Sequence, residues 1–221
     1  MHSFALLVLL ISLLGSLLYN FKASKNNRII FFSVFLFLSF IVEIIGVYLS
    51  TKVISTIPLY NFFTAFEFIF YVFIIHQFIH QPIAKKIFIG LMIAYFVAAM
   101  VNIFFVQGIN AFHSVTYAAG CLLIVFCCAY YFIETLLKPT PVTLVRMPDF
   151  WICSGLLFYY AVSFPIYGFV NFVYSLPSAI LRNFNLFIQI LNIILYTMFS
   201  IAFLCRFKVT KSPLSLYLEP Y

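Results

Sequence analysis

Between Leu59 and Ile79 the chain runs LYNFFTAFEFIFYVFIIHQFI, an almost unbroken apolar and aromatic stretch with one carboxylate, Glu67, near its middle. Wound as an α-helix, such a stretch covers about 30 Å, the thickness of a bilayer's hydrocarbon core. A carboxylate at that depth costs on the order of 3 kcal/mol against lipid, so the helix must turn Glu67 toward protein or water. The segment therefore predicts a membrane helix that does not stand alone.

Six further runs repeat this plan, at approximately 4–19, 29–49, 87–106, 114–137, 150–174 and 185–204, with Leu59–Ile79 third in order. The breaks between them carry turn or charge signals: KASKNNR, TKVISTIP, HQPIAKK, QGINAFH, KPTPVTLVRMPD and SLPSAILRN. The runs are continuous rather than alternating, which excludes a membrane β-barrel. With 66% hydrophobic and 8% charged residues, the chain lies far from a soluble protein's share of about 25% charged. The expected fold class is all-α: a polytopic membrane protein, one bundle of seven transmembrane helices over residues 1–221 with no soluble domain. The first run has no Lys or Arg before it and three cations after it, the reverse of a signal peptide, so it reads as a retained helix. Asp149 is expected to cap the sixth helix and Pro165 to kink it.

The net charge of +7 would suggest nucleic acid if it were clustered, but the cations lie between apolar runs and read as topology. Alternate connections place Lys22, Lys25, Arg28, Lys85, Lys86, Lys138, Arg146, Arg206, Lys208 and Lys211 on one side. Only Lys52 and Arg182 fall on the other. Short loops rich in Lys and Arg stay in the cytoplasm, so the N-terminus is expected outside and the C-terminus cytoplasmic.

With that orientation, the polar residues of several helices converge on the outer half of the membrane. Tyr60, Thr64, Glu67 and Tyr71 share a stripe of the third helix, and Ser39, Glu43, Gly46 and Ser50 share one on the second. Tyr160, Ser163, Tyr167 and Asn171 do so on the sixth helix, Asn185, Gln189, Asn192 and Tyr196 on the seventh, and Tyr95, Ala98 and Asn102 on the fourth. Single amides and hydroxyls of this kind are ordinary glue between membrane helices. The two glutamates differ, because an amide would serve as glue without the cost of burying a charge, and no Lys or Arg lies at their depth. The candidate ligand-binding or proton-sensing set is thus Glu67 and Glu43, surrounded by Asn102, Asn171, Gln189, Asn192, Tyr60 and Tyr71. Each acid is either neutral, or meets a proton, a cation, a cationic ligand or water.

Other groups point to less. Glu134 precedes Lys138 by four residues near a helix end and reads as a surface pair. Asn61 and His113 fall at the outer interface. His76 and His80 have the i, i+4 spacing of two metal ligands but no evident third, and the five cysteines form no CxxC pair, so no metal or other cofactor is expected. GxSxG, HExxH, Walker A and dinucleotide fingerprints are absent, as is a Schiff-base lysine in the last helix, which argues against an enzyme and against a retinal protein.

Three stretches, LYNFFTAFEFIFY, MPDFWICSGLLFYY and LNIILYTMFSIAFLC, resemble those of small seven-helix bacterial inner-membrane proteins, similar to the membrane modules associated with histidine kinases. That resemblance implies a bacterial inner membrane and a sensory setting. The cytoplasmic loops are too small for an output domain, so the expected partner is a cytoplasmic or membrane signalling protein or a second copy of the chain. The sequence alone leaves three roles open: a receptor-like or accessory module with an outward-facing polar pocket, a transporter or channel for a small solute or cation, and a structural subunit of a membrane complex.

Overall fold

The computed structural model describes residues 9–16, 27–137, 144–168 and 178–209, and these are all-helical apart from short connections. We label residues 9–16 α1, Asn27–Thr51 α2, Ile57–Phe78 α3, Pro82–Val101 α4, Ser114–Leu137 α5, Pro148–Gly168 α6 and Ser178–Val209 α7. A π-turn, Asn102–Val106, continues α4, and a short 3-10 turn, Leu144–Arg146, precedes α6. Among the described residues, six helices are long and apolar enough to cross a membrane. The chain thus has the build of a multi-pass membrane protein, with a lipid bilayer as its surroundings.

Most of the expected helices are found near their expected places, and the differences have local causes. α4 begins at Pro82, where proline suits the first helical position, so Lys85 and Lys86 belong to its opening turns rather than to a loop. α6 begins at Pro148 for the same reason. Asp149 therefore lies inside its first turn, where its charge complements the helix dipole, and is not the N-cap. The helix runs on through Pro165 to Gly168. α3 stops at Phe78 with Ile79 extended, so His80 is not on the helical face of His76, and the two cannot form an i, i+4 ligand pair. Among the described residues no group of three metal-ligating side chains exists.

α6 packs closely along α5 and α7, while α3 packs along α4 and α5. Between α3 and the α6–α7 pair the approach is made mainly by large rings. Phe68, fully buried, meets Tyr95 of α4, Tyr117 of α5 and Tyr160 of α6 at centroid distances of 5.5, 5.1 and 5.2 Å. Tyr71 meets Tyr160 and Phe199, and Phe32 and Phe35 of α2 close the other side, with Phe35 stacked on Phe70 at 3.9 Å. Aromatic pairs at these separations add about 1 kcal/mol each beyond the area they bury. Gly120 lets α5 close on this hub, since a Cβ there would stand 2.8 Å from the Phe68 ring. α1 lies against α7 through Ser12, whose hydroxyl donates to the Tyr196 carbonyl at 2.9 Å and lies 3.0 Å from Ser200 Oγ. The outer faces of α2 and α4 carry exposed Ile, Val, Leu and Phe, as lipid-facing surfaces do.

Candidate functional site

Glu67 projects from the middle of α3 into the space among α2, α6 and α7. Its carboxyl interacts with the hydroxyls of Tyr71 and Tyr160 and lies within electrostatic range of Glu43 on α2. Tyr95, Tyr117, Tyr159 and Tyr196 are also within its electrostatic range, so helices α3 to α7 each contribute a phenol to its surroundings. Three of those rings are tied together: Tyr71 to Tyr160 at 5.9 Å and Tyr160 to Tyr159 at 4.9 Å. Glu67 itself is only half-buried, although Thr64, Phe68, Tyr71 and Val72 around it on the same helix are buried.

Glu43 is half-buried too and accepts a hydrogen bond from the Tyr60 hydroxyl at 3.4 Å, a long one. Gly46, one turn further along α2, lies directly against the Tyr60 ring and hydroxyl, where any Cβ would collide. The glycine admits the tyrosine that reaches Glu43.

The remaining candidates divide. Gln189 is buried on α7, and its side-chain oxygen has no hydrogen-bond partner among the described residues. Asn192 lies half-buried one turn from Tyr196. Asn171 lies outside the described residues. Asn102 is engaged elsewhere: its amide donates to Gln107 Oε1 at 2.7 Å and to Thr116 Oγ1 at 3.1 Å, within the α4–α5 connection.

That connection is a polar latch whose central residues carry little signal in the sequence. Asn61 and His113, expected at an interface, are both fully buried. The Asn61 amide donates to the carbonyls of Ile109 and Ala111 at 3.1 and 2.8 Å and accepts from the His113 backbone N–H at 3.3 Å. The imidazole sits between two threonines, with Nε2 2.7 Å from Thr64 Oγ1 and Nδ1 2.8 Å from Thr116 Oγ1. Thr64 Oγ1 already donates to the Tyr60 carbonyl at 2.7 Å, so it accepts from Nε2–H, while Thr116 Oγ1, which also donates to the His113 carbonyl at 3.3 Å, faces Nδ1. Burial pushes the His113 pKa down to about 4 and so favours the neutral ring.

At the other end of α4, Glu134 is buried rather than at the surface, and Lys138, expected as its partner, lies outside the described residues. From α5 Glu134 accepts the backbone N–H of Gln81 at 2.9 Å and that of His80 at 3.1 Å, closing the N-terminus of α4. Tyr130 of α5 donates to the Gln81 side-chain oxygen at 3.1 Å beside it. The described cysteines, Cys121, Cys127, Cys128 and Cys153, are free and buried.

Fold and geometry together define a multi-pass helical membrane protein with a carboxylate held among tyrosines. Comparison with protein-family models, curated proteins and solved structures gives no match.

Proposed function

We propose that this chain is a receptor-like or accessory sensory module of a bacterial inner membrane, in which the polar interior around Glu67 and Glu43 senses a small ligand or a proton. In this reading the α2–α3 and α4–α5 connections face outward, the C-terminus is cytoplasmic, and α1 belongs to a seven-helix bundle. The ten-to-two distribution of cations supports that orientation, and the packing of Ser12 on α7 supports α1 as a bundle member. Resemblance to the membrane modules of histidine kinases supports the sensory setting and a cytoplasmic or membrane partner.

The observation that carries the proposal is that Glu67 meets the hydroxyls of Tyr71 and Tyr160 and lies within electrostatic range of tyrosines on α4, α5 and α7. Rings, rather than close backbone packing, bridge α3 to α6 and α7. A change of occupancy or charge at Glu67 would move those rings and so alter the separation of the helices that carry them. A transporter would use the same acid, and the partial exposure of Glu67 favours that as the competing reading. The two separate cleanly in proteoliposomes loaded with a pH dye and given a proton, sodium or potassium gradient. A sensory module gives no flux above protein-free vesicles. Flux that Glu67→Gln abolishes would replace this reading with transport.

A further inference from the structure

We infer that Cys128 and Cys153 are a redox-active dithiol, which a lipid-soluble quinone oxidises to a disulfide joining α5 to α6. The inference goes beyond the Glu67 reading and does not rest on it. Both side chains are fully buried, and their thiols are hydrogen-bonded to one another. Ring contacts fix the register that brings them together. α5 and α6 run antiparallel, with Tyr117 meeting Tyr167 at one end of their seam at 4.4 Å and Phe132 meeting Phe150 near the other at 5.8 Å. One turn back along α5 from Phe132 is Cys128, and one turn on along α6 from Phe150 is Cys153. Cys127 points about 100° away around α5 and is not the partner. Two thiols held face to face need only a small adjustment to reach bonding distance, about 2 Å between sulfurs.

Burial decides the chemistry. A monovalent soft metal held by two thiolates would leave a net negative charge in an apolar interior, whereas disulfide formation begins and ends with neutral groups. Two S–H bonds break and one S–S bond forms. The two electrons and two protons pass to the quinone, whose carbonyl oxygens become the hydroxyls of the quinol. Asp149 lies one turn before Cys153 on α6, within electrostatic range of its thiol, and is placed to take that proton in transit. Depth selects the oxidant. Cys153 lies about 8 Å along α6 from Pro148, closed to charged oxidants dissolved in water. A hydrophobic two-electron acceptor dissolves instead in the lipid that Phe126 and Ile133 of α5 and Phe158 of α6 face.

The test uses the full chain in nanodiscs, kept anaerobic with a chelator present and incubated with decylubiquinone, whose ring has no position free for thiol addition. The protein is then denatured, alkylated with N-ethylmaleimide and mapped by peptide mass. Two of the five thiols are expected to escape alkylation, with quinol formed in equal amount and an α5 peptide joined to an α6 peptide. Dithiothreitol should restore all five. Oxidised glutathione should make the link roughly tenfold more slowly or worse. Cys128→Ser and Cys153→Ser should each abolish it, and Cys121→Ser should leave it intact. Full alkylation after quinone treatment, a link through Cys127 or between two copies of the chain, equal rates with oxidised glutathione, or a link that survives Cys128→Ser would each overturn the inference. The mapping needs only the unmodified protein, so it decides the matter even if a variant does not fold.

Discussion

Both ends of α4 are fastened to α5, one by a carboxylate and the other without any charged group. At the start of α4, unpaired backbone N–H groups carry the positive end of the helix dipole, and Glu134 meets them with its carboxyl oxygens. At its far end the chain leaves the helix through a π-turn, and the Ile109 and Ala111 carbonyls need donors, which the Asn61 amide supplies. The imidazole of His113 is held neutral between two hydroxyls there. Each end has the fastener that its backbone polarity calls for. The difference teaches that this bundle buries an acid where a helix terminus offers it backbone donors, and uses neutral side chains where only a turn must be closed.

This contrast can be broken by substitution. Glu134→Ala leaves two part-buried N–H groups without their acceptor and should cost about 2 kcal/mol, read as a loss of thermal or denaturant stability in detergent. Glu134→Gln keeps an acceptor oxygen and should cost about a third of that. Equal losses in the two variants would show that shape, rather than charge, closes this end.

Acid tests the opposite end. His113 has a folded pKa near 4 against about 6.5 for a free imidazole, so the unfolded chain binds the proton more readily. Its contribution is complete above pH 6.5 and is lost as pH falls toward 4, a loss of roughly 3 kcal/mol. The measurement is the difference in stability between wild type and His113→Gln across that interval. A constant difference would mean that the ring is not held neutral by its surroundings. Asn61→Ala should cost about 2 kcal/mol through three lost neutral hydrogen bonds, without changing the pH dependence below 4.

The long elements of this fold were legible because a spanning helix needs only an uninterrupted apolar run of the right length. α5 lies where the sequence places it, at Ser114–Leu137. What could not be read locally are the partners. The backbone N–H groups that Glu134 accepts are more than fifty residues away in sequence, and no periodicity reports that. Asn102 shares a helical stripe with Tyr95 but turns to the α4–α5 connection, because the π-turn that begins there redirects it. The tyrosine stripes of α3, α6 and α7 were visible as spacing, while Tyr117 and Tyr159 carried no such signal amid so many aromatic residues. Polar pairing across helices is set by their rotation about their own axes, and an all-apolar helix leaves that rotation poorly marked in sequence.

The fastening of α4 also has a consequence for the order in which the chain is made. α4 buries only Ala84, Phe88, Tyr95 and Ala99 along its α-helical length, and α5 is what closes its N-terminus and reaches Asn102 at its far end. During synthesis α4 emerges before either fastener exists, and its final seat waits on Thr116 and then Glu134. In the meantime it can rest on α3, already made, and on lipid, which its exposed Ile83, Ile87, Ile93, Phe96, Val97 and Val101 equip it to accept. α5 then arrives to lock both ends of a helix that α3 already supports.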